Sequence, residues 1–114
     1  MIKGIGTDIV SIERITDERF IERVLAPEEQ RIYRSITDIN RRKTFLAGRF
    51  AAKEALFKAL DPIGEANYRD FIILNDEQGK PFVRSIHLTR ADTVHLSIAH
   101  TRTYATAFVI VEGT

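Results

Sequence analysis

FLAGRFAAKEALFKAL, residues 45–60, predicts a long helix around which the rest of the chain is arranged. At about 100° per residue, its positions fall on three faces. A broad apolar sector comprises Phe45, Leu46, Phe50, Leu56, Phe57 and Leu60, and a neighbouring strip of small residues comprises Gly48, Ala52, Ala55 and Ala59. The third face carries Ala47, Ala51, Glu54 and Lys58. The small strip allows another backbone to pack closely, and the two alanines of the third face predict open space beside Glu54.

Two cations, Arg49 and Lys53, lie inside the apolar sector of this helix. One interpretation is that their aliphatic stems pack against apolar neighbours while their charged heads reach water. The other interpretation is that the heads meet an anion in a cleft. The residues by themselves leave both interpretations open.

Secondary structure can be assigned outward from this helix in both directions. Thr37 or Asp38 is expected to cap it, and Asp61-Pro62-Ile63-Gly64 is expected to end it. Upstream, the pattern predicts a strand over residues 1–10, an amphipathic helical segment over 11–25 with a break near Thr16-Asp17, and a helix from Pro27 to about Ser35. Downstream, it predicts strands over residues 71–74, 82–86, 94–100 and 104–111, with turns at 76–81 and 101–103.

The order of these elements favours an α+β fold, because helices cluster in the first half of the chain and strands in the second. We expect a single domain over residues 1–114, in which an antiparallel or mixed sheet packs against the long helix and the shorter helices. A chain of this size has little surface left for a deep pocket of its own, so a large ligand would need a second subunit.

Composition narrows the possible functions. The chain is 44% hydrophobic and 29% charged, which is typical of a globular protein. It has no cysteine, which excludes a disulfide, a thiol nucleophile and a thiolate metal site. The net charge of +1 argues against nucleic-acid binding. The start lacks a signal-peptide pattern and no stretch is long enough to cross a bilayer, so a cytoplasmic location is expected and no membrane partner is.

Two carboxylates stand beside residues that read as buried: Asp8 in GIGTDIV, residues 4–10, and Glu54 in the long helix. A carboxylate removed from water needs a cation or hydrogen-bond donors. Taken singly, Asp8 is typical of a cap for the helical segment near Ser11, and Glu54 with Lys58 is typical of a surface pair four residues apart. Taken together, the two acids suggest a shared metal ion. Two carboxylates with water and phosphate oxygens suit Mg²⁺.

Other polar groups carry weaker signals. Alternation over residues 94–100 places His95 and His100 on opposite faces of a strand, and no close histidine spacing supports a zinc site. His100, followed by Thr101 at a hairpin tip, is either structural or a donor to a phosphate. The basic run Arg41-Arg42-Lys43 lies at the start of the long helix. Positive charges are unfavourable at the positive end of a helix, so an external anion bound there would offset their repulsion. The sequence contains no glycine-rich phosphate loop.

Four ordered motifs resemble the holo-acyl-carrier-protein synthases, the short, trimeric class of 4′-phosphopantetheinyl transferases. They are residues 4–14, GRFAAKEA at residues 48–55, QGKP at residues 78–81 and HLSIAH at residues 95–100. The motifs follow the family's order over nearly the whole chain. The resemblance implies the family's fold and the transfer of phosphopantetheine from coenzyme A to a serine of apo-acyl carrier protein. It also implies release of adenosine 3′,5′-bisphosphate and a place in fatty acid biosynthesis.

The resemblance further implies roles for individual residues. Asp8 and Glu54 match the family's Mg²⁺ ligands, and Lys58 matches the lysine near the scissile pyrophosphate. The family residues that hold the nucleotide part of coenzyme A match Arg49 and His100 of this chain, and Arg41 and Thr101 are further candidates. The family residue that contacts the carrier protein matches Arg14, and the family's docking helix falls at Arg19, Phe20 and Arg23. The family's site lies between adjacent subunits of a homotrimer. The chain departs from the family in a shorter stretch between Arg14 and Phe20, and in Asp61-Pro62 where many members are glycine-rich.

The implied phosphoryl transfer depends on positioning and on charge neutralisation. Glu54, directly or through a metal-bound water, is the best available base for the attacking serine, and Lys58 can offset charge on the departing bisphosphate. The arginines near residues 14–23 would aid encounter with an acidic carrier protein, although alternating glutamates also fit a solvated face. Three alternatives remain: a non-catalytic module that binds carrier protein or coenzyme A, a larger two-lobed transferase, which the short chain disfavours, and a structural α+β oligomer.

Overall fold

The structure, a computed structural model, describes residues 1–14, 17–60 and 62–113, except for the side chain of Arg14. Its elements in chain order are β1 (Ile2–Ser11), α1 (Glu18–Val24), α2 (Pro27–Ser35), α3 (Ile39–Ala59), β2 (Phe71–Asn75), β3 (Pro81–Ser85), β4 (Thr93–His100) and β5 (Tyr104–Glu112). Short 3₁₀ turns cover Ile12–Arg14 and Tyr68–Asp70. The predicted α+β class is confirmed.

The first helical segment begins later than the sequence predicted. Strand β1 continues to Ser11, and α1 starts only at Glu18, where Asp17 Oδ1 accepts a hydrogen bond of 2.8 Å from the backbone N–H of Phe20. Asp8 therefore lies inside a strand and caps no helix. Of the break expected near Thr16-Asp17, Asp17 lies outside any helix and caps α1, while Thr16 lies outside the described residues. Helix α3 ends at Ala59, just before the segment Asp61-Pro62-Ile63-Gly64 that was expected to end it, of which Asp61 lies outside the described residues.

The described strands form two antiparallel sheets. In the first, β5 lies between β1 and β4, and in the second β2 pairs with β3 as a hairpin. The parallel pairing that a mixed sheet requires is not found among the described strands. Asp8 is paired with Ala107 on β5, and Ala107 is paired with Ile98 on β4. Asp8 thus sits on one edge strand of the three-stranded sheet, and β4 forms the opposite edge.

Helix α3 packs directly on β1 because β1 has glycine at two positions that face the helix. A Cβ added at Gly4 would lie 1.9 Å from the carbonyl oxygen of Ala59, and one added at Gly6 would lie 1.9 Å from that of Ala55. The close approach predicted from the small-residue strip is therefore confirmed. It brings Asp8 on β1 against the half of α3 that carries Glu54.

Helix α3 begins at the cap that the sequence indicated. Asp38 Oδ1 accepts hydrogen bonds from the backbone N–H groups of Asn40 at 2.8 Å and Arg41 at 3.1 Å. These bonds satisfy two of the donors left free at a helix start, and they place a negative charge beside its positive end. Arg42 turns back and donates to the carbonyl oxygens of Ile36 at 2.5 Å and Arg34 at 3.0 Å. The Arg42 guanidinium is thus satisfied by neutral acceptors of the chain, and the external anion expected beside this basic run stays a prediction.

Lys53 forms an ion pair in the core. Its Nζ lies 2.5 Å from Glu29 Oε1 and 2.6 Å from the carbonyl oxygen of Val24, and both charged side chains are 0% exposed. Glu29 also accepts hydrogen bonds from the backbone N–H groups of Ala26 at 2.8 Å and Ile73 at 3.0 Å. The interpretation in which the Lys53 head reaches water is wrong. The ammonium does meet an anion, as the other interpretation expected, but that anion is the Glu29 carboxylate in the core and does not lie in a cleft. Burial lowers the pKa of Lys53, and the charge of Glu29 partly offsets that shift.

The third face of α3 is more buried than the sequence suggested. Ala47 and Ala51 are fully buried in the core, so the prediction that they leave open space beside Glu54 is wrong. Of the residues on this face, only Glu54 and Lys58 retain access to solvent. In the described residues, no helix has the length and apolar character needed to span a membrane.

Candidate active site

Asp8 and Glu54 line one pocket. Its walls are formed by Asp8, Ile9, Val10, Phe20, Arg23, Phe50 and Glu54. Strand β1 supplies the first carboxylate, α3 supplies the second, and α1 closes the pocket with an aromatic ring and a guanidinium. The two acids are 46 residues apart in sequence, and the glycine contacts between β1 and α3 bring them together.

Lys58 contacts the β1 side of this pocket rather than Glu54. Its Nζ donates to the carbonyl oxygen of Thr7 at 2.9 Å and to Asp8 Oδ1 at 3.3 Å. The side chain of Lys58 is 55% exposed, so its ammonium is anchored by strand β1 but remains open to a ligand. The ordinary helix pair that the sequence suggested for Glu54 and Lys58 is not among the described ion pairs.

Glu54 is held by a residue that the sequence analysis did not single out. The hydroxyl of Tyr68 donates to Glu54 Oε1 at 2.7 Å. Burial, followed by the hydrogen bond to Glu54 and the negative charge of Glu54, raises the pKa of Tyr68 to about 12. Tyr68 is consequently a protonated donor at neutral pH, and Oε2 of Glu54 is left for another partner.

The donor set of this pocket fits a hard divalent cation. The described residues contain no cluster of three or more histidines, cysteines, aspartates or glutamates that could enclose a metal ion by themselves. Two carboxylates suit Mg²⁺ nonetheless, because Mg²⁺ retains several waters and is commonly bound by one or two carboxylates together with substrate phosphates. Asp8 and Glu54 are the residues that would hold such an ion here.

Two of the residues predicted to contact a carrier protein, Phe20 and Arg23, line the pocket. Phe20 packs edge-on against Phe50, with ring centroids 4.9 Å apart, and the Arg23 guanidinium lies 5.6 Å from the Phe20 centroid. Arg23 also lines a second groove, together with Arg19, Glu22, Asn67, Arg69 and Asp70. The structure therefore places Phe20 and Arg23 beside the carboxylates, and Arg19 in the neighbouring groove that shares Arg23. The side chain of Arg14 lies outside the described part of the chain.

Arg49 is buried and largely committed to internal contacts. It is 7% exposed, donates through Nη2 to Asn75 Oδ1 at 2.5 Å, and stacks 4.3 Å above the Phe45 ring. Its buried Nε has no hydrogen-bond partner among the described residues. Burial lowers the pKa of Arg49, with a smaller opposing effect from Glu29. The expectation that its charged head reaches water is wrong.

The other residues predicted to contact the nucleotide do not line the carboxylate pocket of the described chain. His100 is exposed at the end of β4, and Thr101 Oγ1 closes the following turn by accepting from the backbone N–H of Tyr104 at 3.0 Å. One strand separates β4 from β1, which corresponds to about 10 Å between their axes. Arg41 is exposed at the start of α3. A single chain thus keeps His100 and Asp8 on opposite edges of the sheet.

Two residues near the pocket were missed from the sequence. Tyr68 and Arg69 stand in the connection between α3 and β2, and no periodic pattern marks them. The signal available was local: Asn67 and Asp70 flank them, and Asp70 Oδ2 accepts from the backbone N–H of Asn67 at 3.0 Å to form the 3₁₀ turn. That turn determines where Tyr68 points, but its target on α3 is visible only in the tertiary structure.

Comparison with known proteins places the chain in a family. Residues 4–109 match the family described as the 4′-phosphopantetheinyl transferase superfamily. A holo-[acyl-carrier-protein] synthase of Acholeplasma laidlawii is 47% identical over 116 residues, which cover 98% of each chain. The Bacillus subtilis protein of the same name is 43% identical over 119 residues, which cover 98% of this chain and 97% of the relative.

Solved structures give the same result. A holo-(acyl-carrier-protein) synthase from Bacillus anthracis in complex with CoA (3′,5′-ADP) superposes with a TM-score of 0.89 and 39% identity, covering 100% of this chain and 99% of that one. The Neisseria meningitidis synthase superposes with a TM-score of 0.86 and 34% identity, over 98% and 99% of the two chains. The chain belongs to the 4′-phosphopantetheinyl transferase superfamily. The family resemblance seen in the sequence, and the transferase class that it implied, are confirmed.

Proposed function

We propose that this protein transfers 4′-phosphopantetheine from coenzyme A to a serine of apo-acyl carrier protein and uses the pocket of Asp8 and Glu54 to do so. The observation that carries the proposal is the convergence of these two carboxylates, with Lys58 on Asp8, in a chain that resembles holo-[acyl-carrier-protein] synthases along nearly its full length. In the reaction, the serine oxygen bonds to the phosphorus that carries the pantetheine arm. The bond from that phosphorus to the bridging oxygen breaks, and adenosine 3′,5′-bisphosphate leaves.

We assign Asp8 and Glu54 as the residues that hold Mg²⁺. When bound, the ion would withdraw charge from pyrophosphate oxygens as a Lewis acid. The support is the chemistry of the donor set, since both side chains offer carboxylate oxygens to one pocket that opens to solvent. Mg²⁺ dependence of the reaction is therefore part of the proposal.

Proton transfer is assigned to Glu54. Its Oε1 is occupied by the Tyr68 hydroxyl, so Oε2 is the atom available to accept the proton of the serine hydroxyl. Lys58 is fixed on β1 beside Asp8 and is mostly exposed, which suits it to offset the negative charge that grows on the departing bisphosphate. Catalysis in this scheme consists of positioning and charge neutralisation, as expected for phosphoryl transfer.

We propose that Arg49, His100, Arg41 and Thr101 bind the nucleotide part of coenzyme A, and that Arg14, Arg19, Phe20 and Arg23 bind the carrier protein. The second assignment is supported by the position of Phe20 and Arg23 in the carboxylate pocket and of Arg19 in the adjoining groove. A carrier bound there would present its serine to Glu54. Cationic side chains in such positions chiefly accelerate encounter with an acidic partner and orient it.

We further propose that the active protein is a homotrimer with sites between subunits. The face of the three-stranded sheet turned away from α3 is apolar and uncovered: Ile5 is 61% exposed, Ile9 63% and Phe108 47%. An exposed apolar patch of this kind marks an interaction surface. In a cyclic assembly, the β4 edge of one copy can approach the β1 edge of the next, which would unite His100 with Asp8.

The single domain and the cytoplasmic location expected from the sequence stay predictions.

A mass-shift assay tests the proposed function. Apo-acyl carrier protein is incubated with coenzyme A, Mg²⁺ and the protein, and its mass is expected to rise by one phosphopantetheine arm. Glu54→Gln should slow the reaction by about 10²- to 10⁴-fold, the usual contribution of a general base. Glu77→Gln, which makes the same change on the exposed β2–β3 turn, is the matched control. A carrier whose mass stays constant while it still binds would favour the non-catalytic module instead.

A further inference from the structure

Tyr68 is the described hydrogen-bond partner of Glu54. Its hydroxyl donates to Glu54 Oε1 at 2.7 Å, the side chain of Glu54 lines the carboxylate pocket, and Oε2 has no hydrogen-bond partner among the described residues. A glutamate side chain has three rotatable bonds, so a partly exposed glutamate samples many orientations unless a neighbour restrains it. The hydrogen bond restrains the carboxylate to orientations in which Oε1 is directed at Tyr68 and Oε2 is the oxygen left for another partner.

The ring of Tyr68 is itself held in place. Its centroid lies 5.5 Å from that of Phe50 and 5.1 Å from that of Phe57, one on each side of Glu54 along α3. The 3₁₀ turn at Tyr68–Asp70 is preceded by its cap residue Asn67 and is followed directly by β2. A ring fixed by two aromatic neighbours and by a turn gives its hydroxyl a defined position, which a donor on a mobile loop would lack.

We propose that Tyr68 is a positioning residue for the transfer reaction: its hydroxyl orients the Glu54 carboxylate so that Oε2 faces the metal and the incoming serine. This inference rests on the proposed function, because it assumes that Glu54 binds Mg²⁺ and accepts the serine proton. Residues that orient a metal ligand in this way typically contribute about 10- to 100-fold to metal affinity or to rate.

The substitution that isolates the hydroxyl is Tyr68→Phe, because it keeps the ring between Phe50 and Phe57. The matched control is Tyr33→Phe, which removes a tyrosine hydroxyl on α2, where the ring packs on Phe45 at a centroid distance of 6.4 Å. Both variants are compared with the wild type for melting temperature, for turnover as a function of Mg²⁺ concentration, and for the KM values of coenzyme A and carrier protein.

A binding measurement complements turnover. Mn²⁺ prefers the same oxygen ligands as Mg²⁺, and its free concentration can be read by electron paramagnetic resonance during a titration of each protein. Tyr68→Phe should weaken Mn²⁺ binding and raise the half-saturating Mg²⁺ concentration by about 10-fold, and lower kcat by a similar factor, with little change in the KM for coenzyme A. Tyr33→Phe should match the wild type in all these quantities.

Two results would overturn the inference. In the first, Tyr68→Phe matches Tyr33→Phe in metal affinity and in kcat. In the second, Tyr68→Phe lowers the melting temperature and activity but leaves Mn²⁺ affinity unchanged, which identifies a purely structural role. Failure of the proposed function is distinguishable from both, because a wild-type protein that binds Mn²⁺ but transfers nothing would refute the transfer reaction, while the titration would still report on Tyr68.

Discussion

The buried ion pair between Lys53 and Glu29 offers the sharpest test of how this fold is held together. Lys53→Met keeps most of the side-chain volume and removes the ammonium that lies 2.5 Å from Glu29 Oε1. Glu29 would then remain charged in the core with only the backbone N–H groups of Ala26 and Ile73 as donors. Glu29→Gln is the reciprocal change, and it leaves the charged Lys53 ammonium with neutral acceptors only, the carbonyl oxygen of Val24 and the amide oxygen of the new side chain.

The expected magnitude follows from the burial of both partners. Each single substitution leaves an uncompensated charge in a site that is 0% exposed, which typically costs about 3–5 kcal/mol. A domain of this size has a total stability of about 5–15 kcal/mol, so either change removes about 30 to 50% of the stability of a mid-range domain. The double variant Lys53→Met/Glu29→Gln contains neither charge. The double variant should lose less stability than the sum of the two single losses, by about 2 kcal/mol or more. That difference lies in the upper part of the range of interaction energies found for residues in contact.

Urea unfolding followed by circular dichroism measures these differences. All variants are compared at one protein concentration, because an oligomer gains apparent stability with concentration. Lys80→Met and Glu77→Gln make the same changes on the exposed β2–β3 turn and should shift the free energy of unfolding by less than about 0.5 kcal/mol. The reasoning is refuted if Lys53→Met loses no more than Lys80→Met, or if the two single effects simply add in the double variant.

Three further predictions concern packing, assembly and pH. Gly6→Ala should lower the free energy of unfolding by at least about 2 kcal/mol, because its Cβ would lie 1.9 Å from the carbonyl oxygen of Ala55 and the backbones must separate; a stability equal to that of the wild type would contradict the packing of α3 on β1. If sites lie between subunits, Asp8→Ala and His100→Ala should each be inactive alone, but an equal mixture refolded together should recover about a quarter of wild-type activity, because about a quarter of the interfaces then combine an intact Asp8 with an intact His100. A mixture as inactive as its components would place each site within one chain. Hydrogen bonds from the backbone N–H of Asn67 and, next, from His87 hold the pKa of Asp70 below its ordinary value of 3.8. The Asp70 carboxylate therefore stabilises the fold above pH 3.8 and ceases to do so as the pH falls through its lowered pKa. Plots of unfolding free energy against acid pH should be steeper for the wild type than for Asp70→Asn, and identical slopes would contradict the assignment.

The elements of the fold were largely predictable because their signals are local. Asp38 precedes the longest helix and caps it, Pro27 begins α2, and alternation marks β4 and β5. Each of these signals concerns residues within a few positions of one another, so one sequence suffices to detect them. The predicted strand at residues 1–10 differs from β1 by one position, whereas the helical segment was predicted from Ser11 because the amphipathic pattern in residues 11–25 begins before α1 does at Glu18.

The carboxylate pair was also indicated by the sequence, although its placement was not. Unusual acids beside glycine and alanine suggested a shared site, and the family motifs strengthened that interpretation. What the pattern could not tell was that Lys58 would contact Asp8 rather than Glu54, because a helix pair at four-residue spacing looks the same whether or not a strand competes for the lysine.

By itself, the sequence determined the family, the α+β class, the main helix and strand boundaries, and the identity of the two acids. Only the tertiary structure decided the partners of the buried and half-buried polar groups: Glu29 for Lys53, Asn75 for Arg49 and Tyr68 for Glu54. The physical reason is that a charge removed from water must find its partner within a few ångströms in space. That partner comes from whichever distant segment the packing brings there, so its position in the sequence follows no local periodicity.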